Sequence, residues 1–538
     1  MVEAGAPGES AAAPKRGFLA WIERTGNKLP DPIFIFFYLI AGLMALSVLA
    51  WWLGWSAVHP TELEQGTGAP KVIVAQSLFS AANIQKLWVE MPTTFSHFHP
   101  LGYVLVVMLG AAVAERSGLF AAAMRKAVGG APTFLLTPFV ALVGMIGNLA
   151  ADAAYVVLIP LAGVLFAAAG RHPIAGIAAA FAGVSGGFSA NLVPGQLDAL
   201  LFGITETSAK LILPGWTANI AGNWYFLVGM TLVFLPIIWF LTDRVIEPRL
   251  GRYVPEPQAP LAEAGEEDHV GAAQRKGLRR AGLALLAVVA LWLAMTFGPG
   301  TPLIDESAAA EAQLTPFYRS LVGGFFLLFL ATGWAYGSAA GTVRNHRDVV
   351  NMMSGGMGDL AYFLVLAFAA AHFVAMFGWS NLGLISAVHG ADTLRSMDLP
   401  APVLLATIVL FSAALNLLIG SASAKWALLA PVLVPMLMLL GISPEMSTAA
   451  YRVGDGATNI ITPLMTYFAL ILVFCQRWQK SFGLGSLTAL MLPYSLGILL
   501  AGLALTIGWV AVDAPLGPGA GVSFEMPAAA PPAPVPAG

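Results

Sequence analysis

The chain has 538 residues, 58% of them hydrophobic and only 10% charged, with a formal net charge of −3. With a mean hydropathy of +0.78, this composition excludes a water-soluble globular protein, and the lack of any basic tract excludes nucleic acid as a partner. The one cysteine, Cys475, excludes an intramolecular disulfide framework and a thiolate metal cluster.

Residues 1–29 read as a polar N-terminal tail without the apolar core and cleavage site of a signal peptide. Apolar runs of about the length of a bilayer span follow at roughly 32–54, 101–115, 174–193, 222–242, 281–297, 318–338, 360–378, 446–473 and 486–511. Two further apolar segments, 132–170 and 402–440, are nearly twice as long as a span and are interrupted by small polar residues, "GNLAADAA" (147–154) and "GSASAK" (420–425). A chain that turns at mid-depth must shield its irregular backbone in protein or against a water-filled cavity, so both segments are predicted to be re-entrant hairpins. The Pro/Ala-rich stretch 513–538 is predicted to be a disordered C-terminal tail. The expected fold is an all-α polytopic membrane protein, with nine transmembrane helices plus two re-entrant hairpins in one domain, 30–512, and the lipid bilayer as its first partner.

With the N-terminus in the cytoplasm, this layout puts 19 of the 26 basic residues inside and five outside or at the outer boundary (Lys71, Lys86, Lys210, Arg319 and Arg395). The reverse orientation inverts the bias, against the positive-inside rule. Lys425 and Arg452 are left within the membrane.

The two hairpins align without gaps at an offset of 271 residues, pairing Pro160 with Pro431, Gly170 with Gly441, Pro173 with Pro444, Gly183 with Gly454 and Tyr155 with Trp426. Five crossings separate the preceding spans, so the repeats, about 101–205 and 360–475, run antiparallel. Inverted repeats with interrupted helices point to a secondary transporter whose site lies where they meet.

After each hairpin comes a glycine-broken span, "FAGVSGGFSANLVPGQLD" (181–198) and "YRVGDGATNIITP" (451–463). Unwound backbone there frees carbonyls for a cation and N–H groups for an anion. Asn148, Asp152, Ser189, Ser421, Thr458 and Asp455 supply the oxygens for a candidate sodium site, with Na+ as coupling ion and no other cofactor, while Asn191, Asn459 and Ser423 add polar contacts. Arg452 and Asp455, at i and i+3, share a helical face and cost about 2.5–3.5 kcal/mol each at the bilayer centre, which makes them functional candidates. Arg452 suits a substrate carboxylate, Asp455 a proton or sodium ion, and Trp426 an aromatic ring; an ion pair pinning two helices is the alternative for the charges, and packing the alternative for Trp426. "GVSGG" (183–187) matches the hydrolase elbow, which would make Ser185 the nucleophile of an intramembrane protease with His372 available, but an elbow needs a strand running into a helix. No H-E-x-x-H or Walker motif occurs, so no catalytic residue is assigned.

The chain resembles the aminobenzoyl-glutamate transporter (AbgT) family through "GNLAADAAYVVLIPL" (147–161), "SGGFSANLVPGQLDALLFGIT" (185–205), "FGWSNLG" (377–383), "GSASAKWALLAPVLVPML" (420–437) and "YRVGDGATNIITPL" (451–464), over about residues 17–512. The resemblance implies a homodimeric protein of the bacterial inner membrane, with nine spans and two hairpins per subunit. It also implies gradient-driven uptake of p-aminobenzoyl-glutamate, a small aromatic carboxylate, or export of sulfonamide antimetabolites. It carries functional roles onto Asp198, Ser423, Trp426, Arg452, Asp455 and Pro463, raising Asp198, whose place at the end of the first broken span otherwise suggests the outer interface. An ion-coupled dicarboxylate transporter and a channel are the competing expectations.

Overall fold

The computed structural model describes residues 31–63, 69–129, 132–150, 154–253, 271–297, 300–307, 313–465 and 467–527. The tail 1–29, Asp152 and residues 528–538 lie outside the described residues. Helix α1 (Pro32–Trp52) opens on Asp31, whose carboxylate accepts from Ile33 N (2.9 Å), with Pro32 at the first helical position. Its 21 residues rise about 30 Å, the thickness of a bilayer core. A two-stranded antiparallel ribbon, β1 (Ser56–Leu63) and β2 (Pro70–Val74), and two short helices, α2 (Ala81–Val89) and α3 (Met91–Ser96), lead to α4 (His99–Arg116). At Gly118, whose φ of +88° only glycine adopts easily, the chain bends by 65° into α5 (Leu119–Gly129).

The first hairpin region comprises α6 (Leu136–Gly147), a 3₁₀ turn over Asn148–Ala150, a π turn over Ala154–Leu158 and α7 (Ile159–Ala168). Then come α8 (Pro173–Phe181) with a π turn over Ala182–Gly186, α9 (Gln196–Ala209), α10 (Trp224–Leu241) continued through a π turn into α11 (Glu247–Leu250), α12 (Ala272–Phe297), α13 (Thr315–Ala340), α14 (His346–Asp359), α15 (Ala361–Trp379) and α16 (Leu382–Ser396). The second hairpin region is α17 (Ala401–Asn416) and α18 (Ala422–Leu439), followed by α19 (Pro444–Thr458), α20 (Phe468–Trp478) and α21 (Leu484–Ala511). Among the described residues seven helices are long and apolar enough to cross a bilayer, or eight when the bent α4–α5 pair is taken as one span. The segments 174–193 and 446–473, expected as glycine-broken spans, are interrupted: regular helix stops at Phe181 and at Thr458. Glycines 183, 186 and 187 in the first remove side-chain packing that would keep a helix regular, and Pro463 in the second lacks the N–H to resume one, while α19 runs unbroken through Gly454 and Gly456.

The offset of 271 recurs in the backbone. Helices α7 and α18 end at Ala168 and Leu439, and α8 and α19 begin at Pro173 and Pro444. Between them Gly170 (φ +71°) and Gly441 (φ +82°) take the left-handed conformation that stops a helix. Each following helix is capped by a side chain, His172 accepting from Ile174 N (3.3 Å) and Ser443 accepting from Met446 N (3.0 Å). Further on, a Cβ on Gly183 would come within 2.5 Å of Ala141 O on α6, and a Cβ on Gly454 would overlap Val409 O on α17. In both repeats a glycine therefore lets the broken helix lie directly on the first arm of its hairpin, the small-residue contact that holds helices together in lipid.

The two elbows are pinned differently. Arg171 forks onto Glu247 (2.5 Å) and Asp243 (2.6 Å) and also reaches Thr137 (2.8 Å). At the other elbow the C-terminal segment acts as a strap, contrary to the expected disordered tail starting at 513. Ser443 N donates to Val522 O (2.9 Å), Phe524 N to Gly441 O (2.8 Å) and Phe226 N to Leu516 O (3.1 Å). Leu516 and Val522 are the buried apolar anchors that a reading of overall Pro/Ala content passes over.

The glycine contacts give a first prediction. Overpacking a tight site costs about 1–3 kcal/mol, and a backbone carbonyl cannot rotate away from an added methyl. Gly454→Ala and Gly183→Ala should each lower the thermal midpoint of the detergent-purified protein by several degrees, whereas Gly42→Ala, where nothing lies within 4 Å, should leave it unchanged or raise it.

Candidate functional site

Helix α19 presents Tyr451, Arg452, Asp455 and Thr458 to three different neighbours, and its two charges do not pair with each other. Arg452 Nη1 donates to Asp198 Oδ1 (2.6 Å) in the first turn of α9, while Asp198 Oδ2 accepts from Gly195 N (2.7 Å) and so caps that helix. Asp455 pairs with Lys425 Nζ of α18, and Lys425 also donates to Asn416 Oδ1 at the end of α17. Arg452 and Asp455 are 1% exposed, Lys425 0% and Asp198 3%. Two cations and two anions thus neutralise each other in a setting where an isolated charge would be several kcal/mol uphill. Arg452 Nε, also buried, has no hydrogen-bond partner.

Asn416 ties the second pair to the broken end of α19. Its amide nitrogen reaches Asp455 O, Thr458 Oγ1 and Asn459 Oδ1, each at 2.9 Å. Beside these pairs Trp426 stacks on Tyr451 with centroids 4.5 Å apart and donates to Thr205 Oγ1 (2.9 Å), which pairs with Thr448 Oγ1 (2.8 Å). Tyr451 OH donates to Ala422 O (2.6 Å). Trp426 is fully buried by these contacts.

The other sequence candidates fall into two groups. Asn148, Ser189 and Asn191 line the first break: Asn148 Nδ2 donates to Met145 O (3.1 Å) and Gly187 O (3.4 Å), Asn191 Oδ1 accepts from Leu192 N, and Ser189 Oγ is buried without a partner. Ser421 and Ser423 lie half-buried at the second hairpin tip, their hydroxyls 3.3 Å apart, with Ser421 capping α18. Pro463 follows the broken end of α19, where a Cβ on Gly420 of the tip would be 2.6 Å from Leu464 O. The breaks themselves meet, since a Cβ on Gly456 would stand 3.0 Å from Gly186 O. Ser185 is buried inside the π turn with no strand leading into it, the wrong setting for a nucleophile elbow. No cluster of three or more His, Cys, Asp or Glu able to hold a metal occurs among the described residues.

The structure adds Lys425, Asn416, Tyr451, Thr205 and Thr448 to the site. Lys425 carries a visible signal, a lysine inside an apolar run; Thr205 and Thr448 do not, because a hydroxyl at membrane depth commonly bonds its own helix, as both also do here through Leu201 O and Pro444 O.

Sequence comparison places this geometry. The profile of the AbgT putative transporter family matches residues 17–524, almost the whole chain. The chain belongs to the AbgT transporter family. It is 35% identical over 499 residues to the p-aminobenzoyl-glutamate transport protein of Escherichia coli K12, covering 93% of this chain and 96% of that one. Two solved AbgT-family structures superpose closely. The YdaH transporter of Alcanivorax borkumensis has a TM-score of 0.84 and 42% identity, covering 91% of this chain and all of YdaH. MtrF of Neisseria gonorrhoeae, described as illuminating a class of antimetabolite efflux pumps, has a TM-score of 0.86 and 41% identity, covering 94% of this chain and all of MtrF. This AbgT protein is thus a multi-pass membrane transporter and not an enzyme.

Removing one member of a buried ion pair strands the other and costs about 3–5 kcal/mol, whereas removing both strands neither. Asp198→Ala and Arg452→Met should each lower the thermal midpoint, and the double variant should be more stable than the two losses added together. Thermal denaturation of the four proteins in detergent measures the coupling.

Proposed function

We propose that the protein is a secondary active transporter of p-aminobenzoyl-glutamate and related aminobenzoyl compounds, sulfonamide antimetabolites among them, driven by a proton or sodium gradient across the bacterial inner membrane. The observation that carries the reading is the pair of buried, mutually neutralising ion pairs at the meeting of the two broken helices. The same reading takes the nine-span layout with two re-entrant hairpins, a cytoplasmic N-terminus and a homodimer. The names of the E. coli and Neisseria relatives support the solute class.

The ion pairs supply a physical basis for coupling. A solute carboxylate that takes Arg452 from Asp198 leaves Asp198 as an uncompensated buried anion. One proton or sodium ion per solute carboxylate restores neutrality, the first at Asp198 or at Asp455 with release of Lys425, so the two carboxylates of p-aminobenzoyl-glutamate require two cations. Solute entry without the cation leaves an unpaired charge costing several kcal/mol, so the loaded state that crosses the membrane is the neutral one. Alternating access then moves the hairpin-bearing repeats around a site whose charge stays balanced.

Radiolabelled p-aminobenzoyl-glutamate should accumulate in proteoliposomes under one imposed gradient, of protons or of sodium, and Asp455→Ala should abolish the gradient dependence. Folded protein that accumulates no label under either gradient, in either direction, would refute the assignment, and accumulation of an aliphatic dicarboxylate instead would redirect it.

A further inference from the structure

Ring recognition has no opening at Trp426, which is 0% exposed, with Tyr451 against its face and Thr205 on its N–H. The residue at the equivalent position of the first repeat, Tyr155, lies instead in the wall of a cavity. This cavity has a volume of about 240 Å³ and is lined by Met108 of α4, Asn148 and Tyr155 of the first hairpin, Phe188 of the first break, Gln196 of α9 and Phe363 of α15, among others. Apolar cavities of about 150 Å³ accept benzene, so there is room here for a substituted ring. Tyr155 is held as a rigid wall by Tyr467, stacked at 4.4 Å and 13°. Besides the Tyr155 hydroxyl, the polar side chains of the lining are the carboxamides of Asn148 and Gln196, and the buried oxygen of Gln196 has no hydrogen-bond partner. An acceptor left in this state is costly until a donor reaches it. Gln196 also lies two residues before Asp198, in the same first turn of α9, so a molecule in the cavity is next to the helix end that holds Arg452.

We propose that this cavity, not Trp426, receives the aminobenzoyl ring, with Tyr155, Phe188 and Phe363 around the ring and the Gln196 carboxamide oxygen accepting from the para-amino group. The assignment rests on the substrate class proposed above and specifies where within the protein that class is read. It makes Gln196 a specificity-determining residue, because a site with a buried polar group discriminates strongly against an analogue lacking the matching donor. Trp426 and Tyr451 then serve as buried packing beside the Lys425–Asp455 pair.

Binding of p-aminobenzoyl-glutamate and of benzoyl-glutamate, which lacks the amino group, is measured on the purified full-length protein. The wild type is expected to prefer the amino compound by about tenfold or more, the equivalent of one hydrogen bond, and Gln196→Leu to lose that preference while still binding benzoyl-glutamate. In a second measurement that needs no variant, 4-azidobenzoyl-glutamate is photolysed on the wild type, and the label is expected on the peptides carrying Tyr155, Phe188 or Phe363. Label confined to 420–437, around Trp426, overturns the assignment, as does an unchanged preference in folded Gln196→Leu. A wild type that binds neither compound refutes the solute class itself, a result distinct from binding without the expected preference.

Discussion

A charge inside a membrane protein must be answered by another charge, and the core of this transporter is organised by that requirement. Arg452 and Asp455 stand on one helix, but their counterions come from elsewhere: Asp198 from the start of α9 and Lys425 from α18. The first pair therefore ties α19 to the element that follows the first repeat's break, and the second ties α19 to its own hairpin. Helix α19 is thus held to α9 and to α18 while both pairs are intact. The glycine contacts at Gly183 and Gly454 seat each broken helix on α6 or α17 in the same close-packed core.

The low dielectric that makes the charges expensive also makes them responsive. A fully paired set of buried ions is tolerated, while a set with one member displaced is not. On the coupling proposed above, a site of this kind distinguishes a neutral combination of solute and ion from either alone, without needing a dedicated gate for each. The stacked Trp426 and Tyr451, with the hydroxyls of Thr205 and Thr448, supply the dry, hydrogen-bonded packing in which that distinction is sharp.

Much of this was legible in the sequence for one reason: the membrane imposes the same rule on every residue that crosses it. Long apolar runs gave the principal helices, the interrupted segments gave the breaks between α6 and α7 and between α17 and α18, and the 271-residue offset marked the turns at Gly170 and Gly441. Arg452 and Asp455 stood out because charges there are rare. Their pairing did not, since i, i+3 spacing shows that two side chains share a face but says nothing of a better partner brought by another helix. Asp198 was ranked low for the same reason: linear position suggested the interface, whereas folding places it 3% exposed. The β1–β2 ribbon was missed because it lies outside the spans, where hydropathy carries no signal. The strap at 513–527 was missed because two buried anchors, Leu516 and Val522, were averaged into a Pro/Ala-rich composition.

That strap has a consequence for how the protein is made. The elbow between α18 and α19 is completed by Val522 and Phe524, and the start of α10 by Leu516, a partner about 290 residues further along the chain. These bonds cannot form until the last stretch of the described chain has been synthesised. The first repeat's elbow, by contrast, closes on Asp243 and Glu247 within 76 residues of Arg171. Contacts of long sequence separation close late and slowly. The two halves, so alike in backbone, must then mature in order: the first repeat can set early, and the second is finished only once residues 516–524 have been made.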